Sequence, residues 1–359
     1  MKKKIFILYL LIIGSSAAVF AQEVSARIVS LGGSAEIHSG RSITNESAID
    51  VGFIVREADL VSTGSDGYVE LEITSPSNIV FVKINRNSAF YFMRKQADAI
   101  FLRILSGDAE IRITEAFLDD KVNVSLGKML LYGGREFGVT LAPEGSVLLT
   151  CTEGSVLCRT VLGRQYYIEA GMTLEFLPNR SPRSNEIGSE NFPRFRNDWF
   201  AERVRLFRLG AFSITRQRID RYEESAKQFT LFYNELVKFE SIFEKYKNGT
   251  EGIARSTILG DKAKIESAIS DMKSIFFRHE ELFYSVVESK NLHNQFPIRG
   301  ALRRRYTIAD FMGDFERNYE QMVKKASHTR QMLKIYSKMS DNNFSTALIE
   351  EIFNVNPVF

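Results

Sequence analysis

The chain has 359 residues but only two cysteines, four histidines, one tryptophan and seven prolines. The four histidines, His38, His279, His293 and His328, lie far apart, and none falls in a metal-ligand spacing. His279-Glu280 opens like a zinc-protease helix, but the position that needs a second histidine, four residues on, is Phe283. A G-x-S-x-G nucleophile elbow, a P-loop and a dinucleotide fingerprint are all missing. The carboxylate pairs Glu223-Glu224, Glu280-Glu281 and Glu350-Glu351 fall in helical stretches, where a solvated face accounts for them. No catalytic, cofactor-binding or metal-ligating residue is assigned, and the chain is expected to be a non-enzyme without a cofactor.

An excess of one charge is also missing beyond the first few residues. The net charge is +3, and Lys2, Lys3 and Lys4 supply all of it. The remainder is balanced, which removes the usual ground for expecting nucleic acid or an anionic membrane as partner. Those lysines precede an apolar run, Ile5 to Ile13, which Gly14-Ser15-Ser16 interrupts. Ala17 to Ala21 follows, with Val19 and Ala21 at the positions a signal peptidase reads. This order predicts a signal peptide over residues 1–21 and a periplasmic or secreted mature chain. A retained anchor is the other reading, although Ile5 to Ala21 is at the short limit for a bilayer span. Nothing later is apolar for long enough to cross a membrane, so no transmembrane segment is expected in the mature chain.

The two cysteines lie close together, Cys151 and Cys158, separated by the bend-forming Thr152-Glu153-Gly154-Ser155. Export would permit a disulfide between them, but geometry can forbid one. A bonded pair and two buried thiols both remain open.

From residue 22 to 177 the pattern is that of short strands. Tyr68 to Ile73, Ile79 to Ile84, Ala109 to Ile113 and Val147 to Leu149 alternate or run apolar between glycine-marked turns. Residues 178–194 hold three prolines and many small polar residues and read as a linker. Residues 195–359 change to a helical period. Ile219 to Tyr246, Ile265 to Val286 and Ile308 to Tyr336 each carry one apolar stripe, and a shorter helix is expected near Ser345 to Phe353. Asp261 and Thr307 are expected as N-caps. Long helices of this kind predict an antiparallel bundle. Arg299, Arg303, Arg304 and Arg305 cluster between the second and third stripes. They form either a solvated loop or a contact for an anionic polymer, a lipid headgroup or a protein.

The β half resembles a FecR-type domain. The residues that carry the resemblance are Ala58-Asp59-Leu60-Val61-Ser62-Thr63-Gly64, Asn87-Ser88, Leu105-Ser106-Gly107-Asp108, Gly134-Arg135-Glu136-Phe137-Gly138-Val139, Glu153-Gly154-Ser155-Val156 and Ala170-Gly171. Ala58 stands where that pattern usually has Gly, and Arg135 where it has Thr, so the match is divergent. The resemblance covers about residues 25–177 and implies a β-solenoid-like periplasmic domain. The expected fold is therefore multidomain, a β-solenoid-like FecR-type domain followed by an all-α antiparallel bundle. Arg135 and Glu136 are candidate ligand contacts. The expected role is binding or scaffolding, with an envelope protein or cell-envelope polymer as partner and no nucleic acid. The alternative is a periplasmic sensory or regulatory partner that relays a signal through another protein.

Overall fold

The computed structural model describes residues 24–339 apart from 76–77, 97–98, 115–121, 128 and 179. The expected signal peptide over 1–21 and the expected short helix at 345–353 lie outside those residues.

In chain order the strands are β1 (Ser25–Gly32), β2 (Ala35–Ser39), β3 (Ser42–Asn45), β4 (Ile54–Arg56), β5 (Leu60–Thr63) and β6 (Tyr68–Ser75). Next come β7 (Asn78–Ile84), β8 (Ala89–Gln96), β9 (Ala99–Ser106), β10 (Asp108–Ile113), β11 (Val122–Leu126) and β12 (Met129–Gly133). Then follow β13 (Glu136–Leu141), β14 (Val147–Glu153), β15 (Ser155–Thr160), β16 (Gln165–Glu169), β17 (Met172–Phe176) and β18 (Arg183–Glu186). Sheet A runs β18-β17-β14-β13-β10-β7-β6-β1-β4, and sheet B runs β16-β15-β12-β11-β9-β8-β5-β2-β3. The chain therefore changes sheet after every one or two strands.

This is not the solenoid that the family resemblance implies. Alternate residues of sheet A, such as Val69, Leu71, Ile73, Val80 and Val82, share one core with Phe90, Phe92, Ile100 and Leu102 of sheet B. Two sheets packed face to face bury a single layer of inward side chains between them. Turn residues every ten positions show that strands are short, but not which sheet the next strand joins. What stands is an all-β N-terminal part with a helical part after it.

Sheet B is covered on both faces. In β9 every residue is buried. Ile100, Leu102 and Ile104 face sheet A, whereas Phe101 and Leu105 join the core beneath the helices. A strand buried on both faces reads as a continuous apolar run, as Ala99-Ile100-Phe101-Leu102 does.

The helices are α1 (Phe192–Val237), α2 (Glu240–Tyr246), α3 (Arg255–Gln295) and α4 (Ile308–Met339). Residues 178–194 are partly structured, since β18 pairs with β17 and α1 begins at Phe192 with Pro193 in its first turn. Trp199 to Leu209 lies within α1. With 46 residues, α1 is about 70 Å long at 1.5 Å per residue. Tyr222 packs on Phe283 and Phe229 on Phe276, while Phe283 meets Phe315 and Tyr319. Neighbouring helices thus run antiparallel.

Thr307 caps α4 as expected: its Oγ1 accepts from Asp310 N–H at 3.2 Å, and Asp310 Oδ2 accepts from Thr307 N–H at 2.8 Å. Asp261 is not a cap. It lies inside α3, which starts at Arg255, and its carboxylate takes Lys245, Lys264 and the Tyr246 hydroxyl. Ala58 keeps a glycine-like backbone, with φ 70. The backbone at this position thus holds the left-handed conformation, although the side chain departs from the resembled pattern.

Candidate functional site

Motifs far apart in sequence meet at one end of the sandwich. Thr63 Oγ1 donates to the Asn85 carbonyl at 2.6 Å and accepts from Ser88 N–H at 3.0 Å. Ser88 Oγ donates to the Asp108 carbonyl at 3.2 Å and accepts from Asp108 N–H at 2.9 Å. The Asp108 carboxylate accepts from Asn85 Nδ2 at 3.1 Å and from Thr140 Oγ1 at 3.2 Å. Between these groups Asn87 turns the chain at φ 54 and donates its N–H to Gly64 O at 2.9 Å. Asn is one of the few side chains that tolerates this conformation. Short polar side chains here satisfy the backbone of three adjoining turns.

The first turns of α1 close over this cluster. Arg196 lies 3.6 Å from Asp108 and pairs with Glu110. Gly138 makes room for it, because an added Cβ would stand 2.7 Å from Thr150 Oγ1 and 3.1 Å from Arg196 Nη1. Burial pushes the Asp108 carboxyl above its ordinary range, and the Arg196 guanidinium opposes that shift. Further along α1, Arg218 donates to Ser285 O at 3.0 Å and to Glu288 at 3.1 Å, and also to the Pro143 carbonyl between β13 and β14. One helix is thus tied both to sheet A and to α3.

A groove runs between these parts. One cleft, of about 890 Å³, lies between the outer end of sheet A, α1 and the C-terminal end of α3. A second, of about 530 Å³, lies between β2, β5, α3 and α4. Asn291 lines both and donates to Asn87 Oδ1 at 3.2 Å, so the clefts meet above the turn cluster. Both volumes fall in the range of ligand clefts.

Between sheet B and the helices lies a buried ionic layer that sequence reading missed. Arg103 of β9 reaches Glu281 at 2.9 Å, Ser125 Oγ at 3.3 Å and the Phe277 carbonyl at 3.4 Å. Tyr91 of β8 donates to Glu280 at 3.1 Å, and Arg330 of α4 donates to the Ala58 carbonyl at 2.9 Å. Glu280 is 1% exposed, so it is not on the solvated face first assigned to the Glu280-Glu281 pair. The reason is that α3 is covered twice, by its neighbouring helices and by sheet B. Burial pushes the Glu280 carboxyl up, with Arg330 and Arg103 opposing. The available signal was Arg103 itself, a lone cation in an apolar strand, which needs a buried counter-charge.

Of the candidate binding residues, Arg135, Glu136, Arg299, Arg303, Arg304 and Arg305, none lines the groove. Arg135 pairs with Glu153 at 2.7 Å, and Glu136 lies opposite Glu153 across β13 and β14. Arg299, Arg304 and Arg305 are exposed, and Arg303 pairs with Glu223 of α1. These arginines sit in or beside a short hairpin, β19 (Ala301–Arg303) and β20 (Tyr306–Thr307). Cys151 is on β14 of sheet A and Cys158 on β15 of sheet B; both are free and buried. The bend between them joins two sheets rather than closing a hairpin.

The histidines are engaged elsewhere. His38 bonds Glu36 at 2.9 Å, and His279 bonds Ser225 at 3.0 Å and stacks on Phe229. His293 accepts from Ile298 N–H at 3.0 Å, and His328 lies 3.1 Å from the Tyr233 hydroxyl. Among the described residues no group of three or more His, Cys, Asp or Glu comes together as a metal site. No helix among them is long and apolar enough to cross a membrane.

No family model and no curated protein matches the chain. Two crystal structures of a "putative anti-sigma factor" from Parabacteroides distasonis ATCC 8503 are similar to part of it. Each is 12% identical and is matched over 38% of this chain, with TM-scores of 0.31 and 0.32. The chain spans 63% and 64% of those two chains, less than two thirds of their length.

Proposed function

We propose that the chain is an exported, non-catalytic binding module of the cell envelope, a divergent FecR-type β domain whose groove is completed by its helices. The carrying observation is the convergence of Thr63-Gly64, Asn87-Ser88 and Gly107-Asp108 beneath that groove, where Asn291 of α3 meets Asn87. Such turns hold the groove floor rigidly, and α1 and α3 supply its walls. The strongest polar groups near the floor are committed to structure: Arg196 to Asp108 and Glu110, Arg218 to Glu288. That favours recognition over proton transfer. The charge, apolar run and small-residue exit of residues 1–21 support export. The partner is an envelope protein or envelope polymer.

Fractionation with N-terminal sequencing tests the address. The expected mature chain starts at Gln22 in the envelope fraction; a chain beginning at Met1 in the cytoplasm overturns export. Immobilised mature protein is expected to retain envelope material, and Asn291→Arg to lose it while melting normally. Retention indifferent to that change removes the groove from the function. A membrane sensor as the retained material makes the chain a regulatory partner.

A further inference from the structure

The lining of the larger cleft carries little net charge. It holds the carboxylates Asp66, Glu70, Asp108, Glu110 and Glu288 against the cations Lys83, Arg86 and Arg196, with Arg218 behind Glu288. Lys83 stands in register opposite both Glu70 and Glu110 on the sheet. A polyanion would need a surplus of cations, which is not offered, and a basic peptide a larger surplus of carboxylates than the one left over here.

Uncharged hydrogen-bonding groups and aromatic rings are what the cleft does offer. Asn197 on α1 and Gln295 on α3 line it, and among the described residues neither makes a side-chain hydrogen bond. Each carboxamide supplies two donor hydrogens and an acceptor oxygen. Tyr68 on the sheet wall and Phe200 on the helix wall are 37% and 36% exposed. The Tyr68 ring is seated over Gly32, where an added Cβ would come within 2.6 Å of it, and its hydroxyl is 3.3 Å from Ser30 Oγ. An aromatic ring held in place and left partly bare is a platform for the apolar face of a flat ligand.

We propose that the groove binds a neutral, hydroxyl-rich oligosaccharide. Its ring faces lie on Tyr68 and Phe200, and its hydroxyls are bonded by Asn197 and Gln295. The continuation into the second cleft past Asn291 favours an extended chain over a single ring. This rests on the binding-module reading and names its ligand class.

The test is calorimetric titration of the mature chain with three neutral probes, tetramers of β-1,4-linked N-acetylglucosamine, of cellulose type and of maltose type. Saturable binding of at least one is expected, weakened tenfold or more by Tyr68→Ala and by Asn197→Ala, with Leu231→Ala, at an exposed site outside the cleft, as control. Far-ultraviolet circular dichroism confirms that each variant is folded. No saturable binding of any probe by folded protein overturns the proposal, as does binding that neither variant weakens. If no sugar binds while envelope material is still retained through Asn291, the ligand class fails and the binding module stands.

Discussion

Arg330 Nε on α4 stands 2.9 Å from Glu280 Oε1 on α3, and each side chain is only 1% exposed. The two atoms are too poorly aligned to share a hydrogen bond. The pair therefore acts through charge, with Tyr91 and the Ala58 carbonyl supplying hydrogen bonds on either side. It locks α3 and α4 to sheet B.

Removing one partner leaves an uncompensated buried charge, whereas removing both does not. Arg330→Met is expected to destabilise the fold by about 3–5 kcal/mol, and the double change with Glu280→Leu to recover most of that. Urea unfolding measures both. A single variant within about 1 kcal/mol of the parent would show that the pair is not a lock.

His279 stays neutral in the fold because burial pushes it from its ordinary value near 6.5 down to about 3. The unfolded chain takes up a proton near pH 6.5 and the folded chain only near 3. The contribution of His279 is therefore full above pH 6.5 and shrinks as pH falls toward 3. In His279→Gln the loss of stability across that window is shallower, by up to about 1.4 kcal/mol per pH unit. Identical slopes in urea midpoints measured at pH 7, 6 and 5 would remove His279 from the acid response.

Burial pushes the Cys151 thiol up to about 11 and the Cys158 thiol up to about 12. The thiolate is the reactive form. Iodoacetamide at pH 8 is expected to leave both thiols unmodified in folded protein and to label both in urea. Rapid labelling of the native state, read by mass spectrometry, would contradict two buried thiols.

Gly138 provides the seat of Arg196 on sheet A. Gly138→Val is expected to displace that guanidinium from Asp108 and Glu110 and to loosen the start of α1. Limited proteolysis between residues 180 and 200 is expected to rise several-fold, and Arg196→Ala to reproduce it. Unchanged protection in both variants would mean that other contacts hold α1.

The strands with one solvated face were the legible part of the β half. β6 alternates between buried Val69, Leu71 and Ile73 and the partly exposed Glu70 and Glu72, so its period shows both its type and its inward face. β9 shows only that it is buried; which helix covers Phe101 and which strand covers Leu102 are long-range facts. The groove was half legible. Thr63, Asn87, Ser88 and Asp108 stood out as part of the family resemblance, but their meeting point depends on the order of strands in two sheets. Asn197, Asn291 and Gln295 carried no signal, because an exposed amide on a helix is ordinary until something faces it.

The sequence by itself determined that the first half is mainly β and the second mainly helical, since periods of two and 3.6 residues are local properties. It also determined that charge is balanced after residue 4. Only the tertiary structure decided that the strands form a two-sheet sandwich, that Glu280 is buried, and that Asn87 and Asn291 meet. Those outcomes depend on which surfaces are covered by residues far away in the chain. Burial and pairing are properties of such contacts, and a local pattern does not encode them.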